Sequence, residues 1–308
     1  QAASGIGTFM ASGYLGLYFS ALAAGLGHGI VEAVINPVCA AVYPKEKTKW
    51  LTILHAAWPA GLAGGTLLVL GAEGFTDDAI AWRTHALWIL LPAVAYLFMF
   101  LPCKFPTDER VQAGVPFNEM LRQVGFLTAF LASGLMIYEI GNQYYQLTTP
   151  EGVASARPER WFELSLGLGA LVGVGFGLAV KSIGRPLFFL LCVLMIPVAT
   201  AELGTDSWIK GLMTPVLEGR KIDPAMALVF SASIMLVLRV FAGSILKFFS
   251  PPGLLCVSGI FSAIGLYWLS TATGVAIFLA FVLYALGQTY YWPCVLGFTS
   301  ERYHRAAR

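Results

Sequence analysis

The sequence predicts an all-α, polytopic bundle of membrane-spanning helices, and three observations carry that expectation. Of 308 residues, 57% are hydrophobic and only 12% are charged, about half the charged fraction of a soluble domain; mean hydropathy is +0.73. Apolar runs of about 20 residues recur, the length that crosses roughly 30 Å of hydrocarbon as a helix. The runs are continuous, whereas barrel strands alternate over about ten residues. Backbone groups in lipid must be satisfied within the segment, which leaves helices.

Taken in order, the apolar runs predict spans at 1–12 (the end of a helix), 17–42, 50–71, 82–103, 119–145, 163–182, 184–204, 224–248, 252–271 and 273–297. The loops between them alternate in charge. One set holds Lys45, Lys47, Lys49, Lys104, Arg110, Lys181, Arg185, Lys247, Arg302, Arg305 and Arg308. The other mixes acids with bases: Glu73, Asp77, Asp78, Arg83, Glu151, Arg157, Glu159, Arg160, Asp206, Lys210, Glu218, Arg220, Lys221 and Asp223. The positive-inside rule puts the first set in the cytoplasm. The division expected is 1–103 as part of an N-terminal bundle, 104–182 as a cytoplasmic loop plus an inserted helix pair, and 183–308 as part of a C-terminal bundle. The chain opens inside an apolar stretch and stops in the basic "SERYHRAAR", so it reads as truncated at both ends.

Cys39, Cys103, Cys192, Cys256 and Cys294 lie in or beside apolar runs without CxxC spacing, as core thiols do. Net charge +2 gives no nucleic-acid signal. Glycines in "GLAGG" (61–65) and "GLGALVGVGFG" (167–177) predict close helix packing in preference to a substrate path. Aligning Pro37 with Pro293 sets Glu32 opposite Gln288, each five residues before its proline, a faint echo of the related halves of transporters.

The chemistry centres on "GLGHGIVEAVINPVCAAVYP" (25–44). His28, Glu32 and Asn36 step by four and stack on one helix face. An acid at bilayer depth costs a few kcal/mol or more and marks function by default. A carboxyl group there can take and release protons. The competing readings are a structural hydrogen bond to a neighbouring helix and a metal site from His28 and Glu32, which no further clustered ligand completes.

This stretch, followed by "KEKTKW" and "LTILHAAWPAGLAGG", resembles the fourth and fifth helices of fucose-permease-like sugar:proton symporters of the major facilitator superfamily. Glu32, Asn36 and Pro37 match that family's Glu followed by Asn-Pro. The resemblance implies a major-facilitator-type bundle, proton coupling at Glu32 and substrate binding at Asn36. His55 and Trp58 stand where the family's fifth helix carries cavity-facing polar residues, and His28 and His55 are expected to tune or relay the proton. "ATAELGTDSWIKGLM" (199–213), "MLVLRVFAG" (235–243) and "LGQTYYWPCVLGFTSERYHR" (286–305) resemble the seventh, eighth and tenth helices. The predicted helices 119–145 and 163–182 depart from the family as an added pair between its sixth and seventh.

Arg239 sits mid-span and needs a partner, either Glu202 or Asp206, or else a substrate. Those two acids fit a solvated helix end or a cavity. Trp58, Glu202, Asp206, Arg239, Gln288, Tyr291 and Trp292 complete the expected substrate contacts, the aromatics as faces for a sugar ring. Glu139 fits an interface anchor.

The function expected is secondary transport of a small polar solute, a sugar, by proton-coupled alternating access in a bacterial inner (plasma) membrane. Lipid, protons and the solute are the expected partners, with no cofactor. One rival is a proton-driven exporter of organic solutes. Another is an intramembrane lipid-modifying enzyme, for which HExxH, GxSxG and paired-carboxylate motifs are missing. No phosphate-loop glycines point to ATP.

Overall fold

In a computed structural model the chain is an all-α polytopic membrane protein. The structure describes residues 1–72, 78–107, 109–149, 157–217, 219, 222–273 and 276–306, and among them there is no strand. Glu73, Asp77, Glu151, Glu218, Arg220, Lys221 and Arg308 of the loop-charge pattern lie outside the described residues.

The helices are α1 (Ala2–Met10), α2 (Tyr14–Val42), α3 (Lys47–Leu54), α4 (Ala57–Ala72), α5 (Asp78–Ala86), α6 (Leu90–Phe100), α7 (Glu109–Gln112), α8 (Phe117–Thr148), α9 (Trp161–Val180), α10 (Pro186–Ala199), α11 (Thr205–Leu217), α12 (Met226–Val240), α13 (Ala242–Ile245), α14 (Pro251–Thr271), α15 (Ala276–Gln288) and α16 (Tyr291–Ala306). A 3₁₀ turn joins α5 to α6, and a π turn, Thr200–Gly204, joins α10 to α11. Seven helical runs among the described residues are long and apolar enough to span a membrane: Tyr14–Val42, Lys47–Ala72, Trp82–Phe100, Phe117–Thr148, Trp161–Val180, Pro186–Leu217 and Pro251–Thr271. Met226–Val240 is apolar but shorter.

The span expected to end at 204 instead runs to Leu217. Asp206 and Lys210 are therefore helical residues, not loop residues. The reason is amphipathic: Asp206, Ile209, Met213 and Leu217 are buried at spacings of three and four, so one face of the polar "TDSWIKGLM" packs inward. The expected single span 273–297 is two helices, broken at Thr289 and Tyr290.

The chain divides into two compact units, 110–199 and the remainder. In the first, α8 and α9 form a hairpin welded by glycine. A Cβ on Gly169 would stand 2.6 Å from the Gly134 backbone, and one on Gly173 or Gly177 would stand 2.9 Å from Phe130 or Phe126. That repeat of four is one stripe of α9, and its smallness lets backbones touch. The turn after α9 rests on α8: Phe126 and Leu127 N–H donate to the Ser182 and Ile183 carbonyls. There Gly125, at φ +52°, faces Gly184 so closely that no side chain fits.

The other unit joins both ends of the sequence. α4 packs on α12 through Ala63, Val229 and Ala232. α3 packs on α16, and α14 on α15, where Gly265 meets Tyr284. The close packing expected of Gly61, Gly64 and Gly65 is not found among the described residues, where a Cβ at any of them meets nothing within 4 Å. Ala63, between them, is the residue turned inward.

Candidate functional site

Arg239, 1% exposed, holds the centre of the second unit. Its guanidinium donates through Nη2 to Glu202 Oε1 at 2.8 Å, through Nε to the Thr289 carbonyl at 2.8 Å and through Nη1 to the His55 carbonyl at 2.9 Å. Two prolines explain why those carbonyls are available. A proline has no N–H and its ring crowds the carbonyl four residues before it. Pro59 follows His55 by four, and Pro293 follows Thr289 by four; both are fully buried. The helices break at 55–56 and 289–290, and the two freed oxygens turn to Arg239. The His55 oxygen is shared with the Trp58 N–H at 3.3 Å. The ion pair is well formed because a guanidinium presents several donors in a fixed fork.

Glu202 sits in the π turn, next after α10 with its internal Pro197. Such widened turns cluster at functional positions. The Tyr284 hydroxyl donates to the Ala201 carbonyl in the same turn. One turn on, Asp206 faces Glu202, Arg239 and the Gln288 amide. Gln288, wholly buried, donates from Nε2 to the Ser231 hydroxyl at 3.1 Å.

The stripe on α2 lies at the edge of this cluster. His55 Nε2 and Asn36 Oδ1 are 3.1 Å apart. Glu32, half-buried, is within electrostatic range of His28 and of Glu202. His28 is exposed and its ring meets Trp58 edge-on, centroids 6.4 Å apart. Tyr291 is buried and lies near Ser262 and Glu202. Trp292 is half-buried, and its indole N–H has no acceptor among the described residues.

Of the residues singled out in the sequence, Asn36, His55, Glu202, Asp206, Arg239 and Gln288 thus form one network. Glu32, His28, Trp58 and Tyr291 adjoin it, whereas Trp292 makes no described contact with it. Solvated-end placement of Glu202 and Asp206 is replaced by burial, at 3% and 8% exposure. Ser231, Tyr284 and the Thr289 carbonyl belong to the network and were not anticipated. Pro293, four residues beyond Thr289, is the signal that could have found that carbonyl. A separate pocket of about 470 Å³ opens near Lys49 and Lys247, where Glu46 holds Lys49 at 2.9 Å.

Chemically, the network is a set of charges and hydrogen-bonding oxygens inside an apolar helical unit. No protein-family model, curated protein or solved structure matches the chain.

Proposed function

We propose that this protein is a secondary transporter that moves a small polar solute, a sugar, by proton-coupled alternating access in a bacterial inner membrane. The observation that carries the reading is the burial of Arg239, Glu202, Asp206 and Gln288 among apolar helices, with Glu32 in electrostatic range. Ionisable groups at such depth mark ion and substrate paths. Helices broken by proline and by a π turn supply the backbone oxygens that such sites use. The similarity of 25–44 to the fucose-permease-like symporters supports the choice of sugar and proton. On this reading Glu32 exchanges the proton, and Asn36 and Gln288 offer hydrogen bonds to hydroxyls.

The test is uptake of a panel of labelled sugars into proteoliposomes holding the full-length protein under an inward proton gradient. One sugar is expected to accumulate. Glu32→Gln should abolish accumulation and leave sugar exchange, because the amide resembles the neutral acid. Accumulation by that variant would remove Glu32 from coupling, and uptake of no sugar would overturn the reading.

A further inference from the structure

We propose that Asp206, Glu202 and Gln288 form a binding site for a small monovalent cation, sodium. The inference rests on the transporter reading only for its purpose, that of a second coupling ion.

Four buried oxygens carry it. Among the described residues, Glu202 Oε2 and Gln288 Oε1 meet no hydrogen-bond donor, and the Asp206 carboxylate meets none but the Gln288 amide, although buried polar atoms nearly always find their partners. They are close together: Asp206 faces Glu202 and the Gln288 amide, and Glu202 is one helical turn away. The side chains are 8%, 3% and 0% exposed, so bulk water does not serve them.

The charges make the same point. Asp206 and Glu202 bring two negative charges, and Arg239, which faces both, brings one positive. Arg239 is committed to Glu202 and two carbonyls. At least one negative charge is left without a counter-charge, with Glu32 in range adding to the acidic side, and that is costly in a low-dielectric interior. A water molecule would donate to two oxygens and leave the charge. A proton on Asp206 would cancel the charge and leave other oxygens unpaired. A hard cation does both, since carboxylate and amide oxygens are its natural ligands. The adjoining π turn, Thr200–Gly204, is the kind of irregular backbone that lends carbonyls to sodium in transporters.

The test is the thermal unfolding of the purified full-length protein in detergent, read by tryptophan fluorescence. Sodium chloride is titrated against choline chloride at constant ionic strength and pH, with potassium as a parallel arm. Saturating sodium should raise the midpoint by roughly 5 °C, as tight binding to the native state does. Asp206→Asn should abolish the rise. Gln288→Leu keeps every charge and should raise the half-saturating sodium concentration roughly tenfold; it serves if Asp206→Asn does not yield a monodisperse protein. An equal rise with potassium or choline, no rise, or a full rise in Gln288→Leu would overturn the site. So would a midpoint that answers to pH alone, which would give Asp206 a proton instead. Sodium binding without sugar uptake would leave the site standing and remove the sugar reading. Uptake with no response to sodium would do the reverse.

Discussion

At the scale of single residues, Arg239 decides the most. Its three bonds reach an acid and two carbonyls, so removing it leaves Glu202 charged, buried and unpaired. Arg239→Met is expected to cost about 3–5 kcal/mol, the usual penalty for breaking a buried pair from one side. Adding Glu202→Gln should restore part of that loss, because the orphaned charge goes with it. The check is the unfolding midpoint of the two single variants and the double; a double variant weaker than Arg239→Met alone would sink the argument. The need of Arg239 for a partner was legible in the sequence, since a guanidinium amid "MLVLRVFAG" cannot be left alone. Its carbonyl partners were not, because hydropathy describes side chains and not backbone oxygens. The prolines at 59 and 293 did carry that information, four residues downstream of each oxygen.

At the scale of elements, two glycine-rich segments that look alike in sequence behave differently. In α9, a methyl at Gly169 would collide with the Gly134 backbone at 2.6 Å. Backbone cannot swing aside as a side chain can. Gly169→Ala is therefore expected to destabilise the hairpin by about 1–3 kcal/mol, the range for overpacking. In α4, a methyl at Gly61 meets nothing. Gly61→Ala is expected to be neutral or to stabilise by up to about 1 kcal/mol, through helix propensity alone. Thermal unfolding of the two variants in detergent separates them, and equal losses would count against the packing described. Composition could not distinguish the segments; only the partner across the interface does. The misplaced end at 204 has a related cause. A falling hydropathy marks where a helix ceases to be apolar all round, whereas the buried stripe of Asp206, Ile209, Met213 and Leu217 marks where it still packs.

At the scale of the whole molecule, the helical membrane class was legible because lipid leaves the backbone few choices. The joining of both ends of the sequence into one unit was not, since periodicity fixes which face is buried and not against what. Membrane orientation is tested by loop chemistry. In a background without the five native cysteines, single cysteines at Lys45 and Lys247 should resist an impermeant thiol reagent in intact cells. One at Arg157, exposed beyond the end of α8, should react. Labelling at 45 with protection at 157 would invert the orientation and the positive-inside reading behind it.

The Arg239 clamp also bears on how the chain is made. Its partners lie 184 residues upstream at His55, 37 upstream at Glu202 and 50 downstream at Thr289. On the ribosome, α12 emerges when two of the three exist and the third is untranslated. Arg239 stands in the last turn of α12, a helix of only 15 residues, and a buried guanidinium without its partner is costly. Glu202, delivered just beforehand by the preceding helical run, is the counter-charge already made when Arg239 arrives. The clamp closes only when α15 has followed, so biogenesis of this unit is ordered by the translation of residue 289.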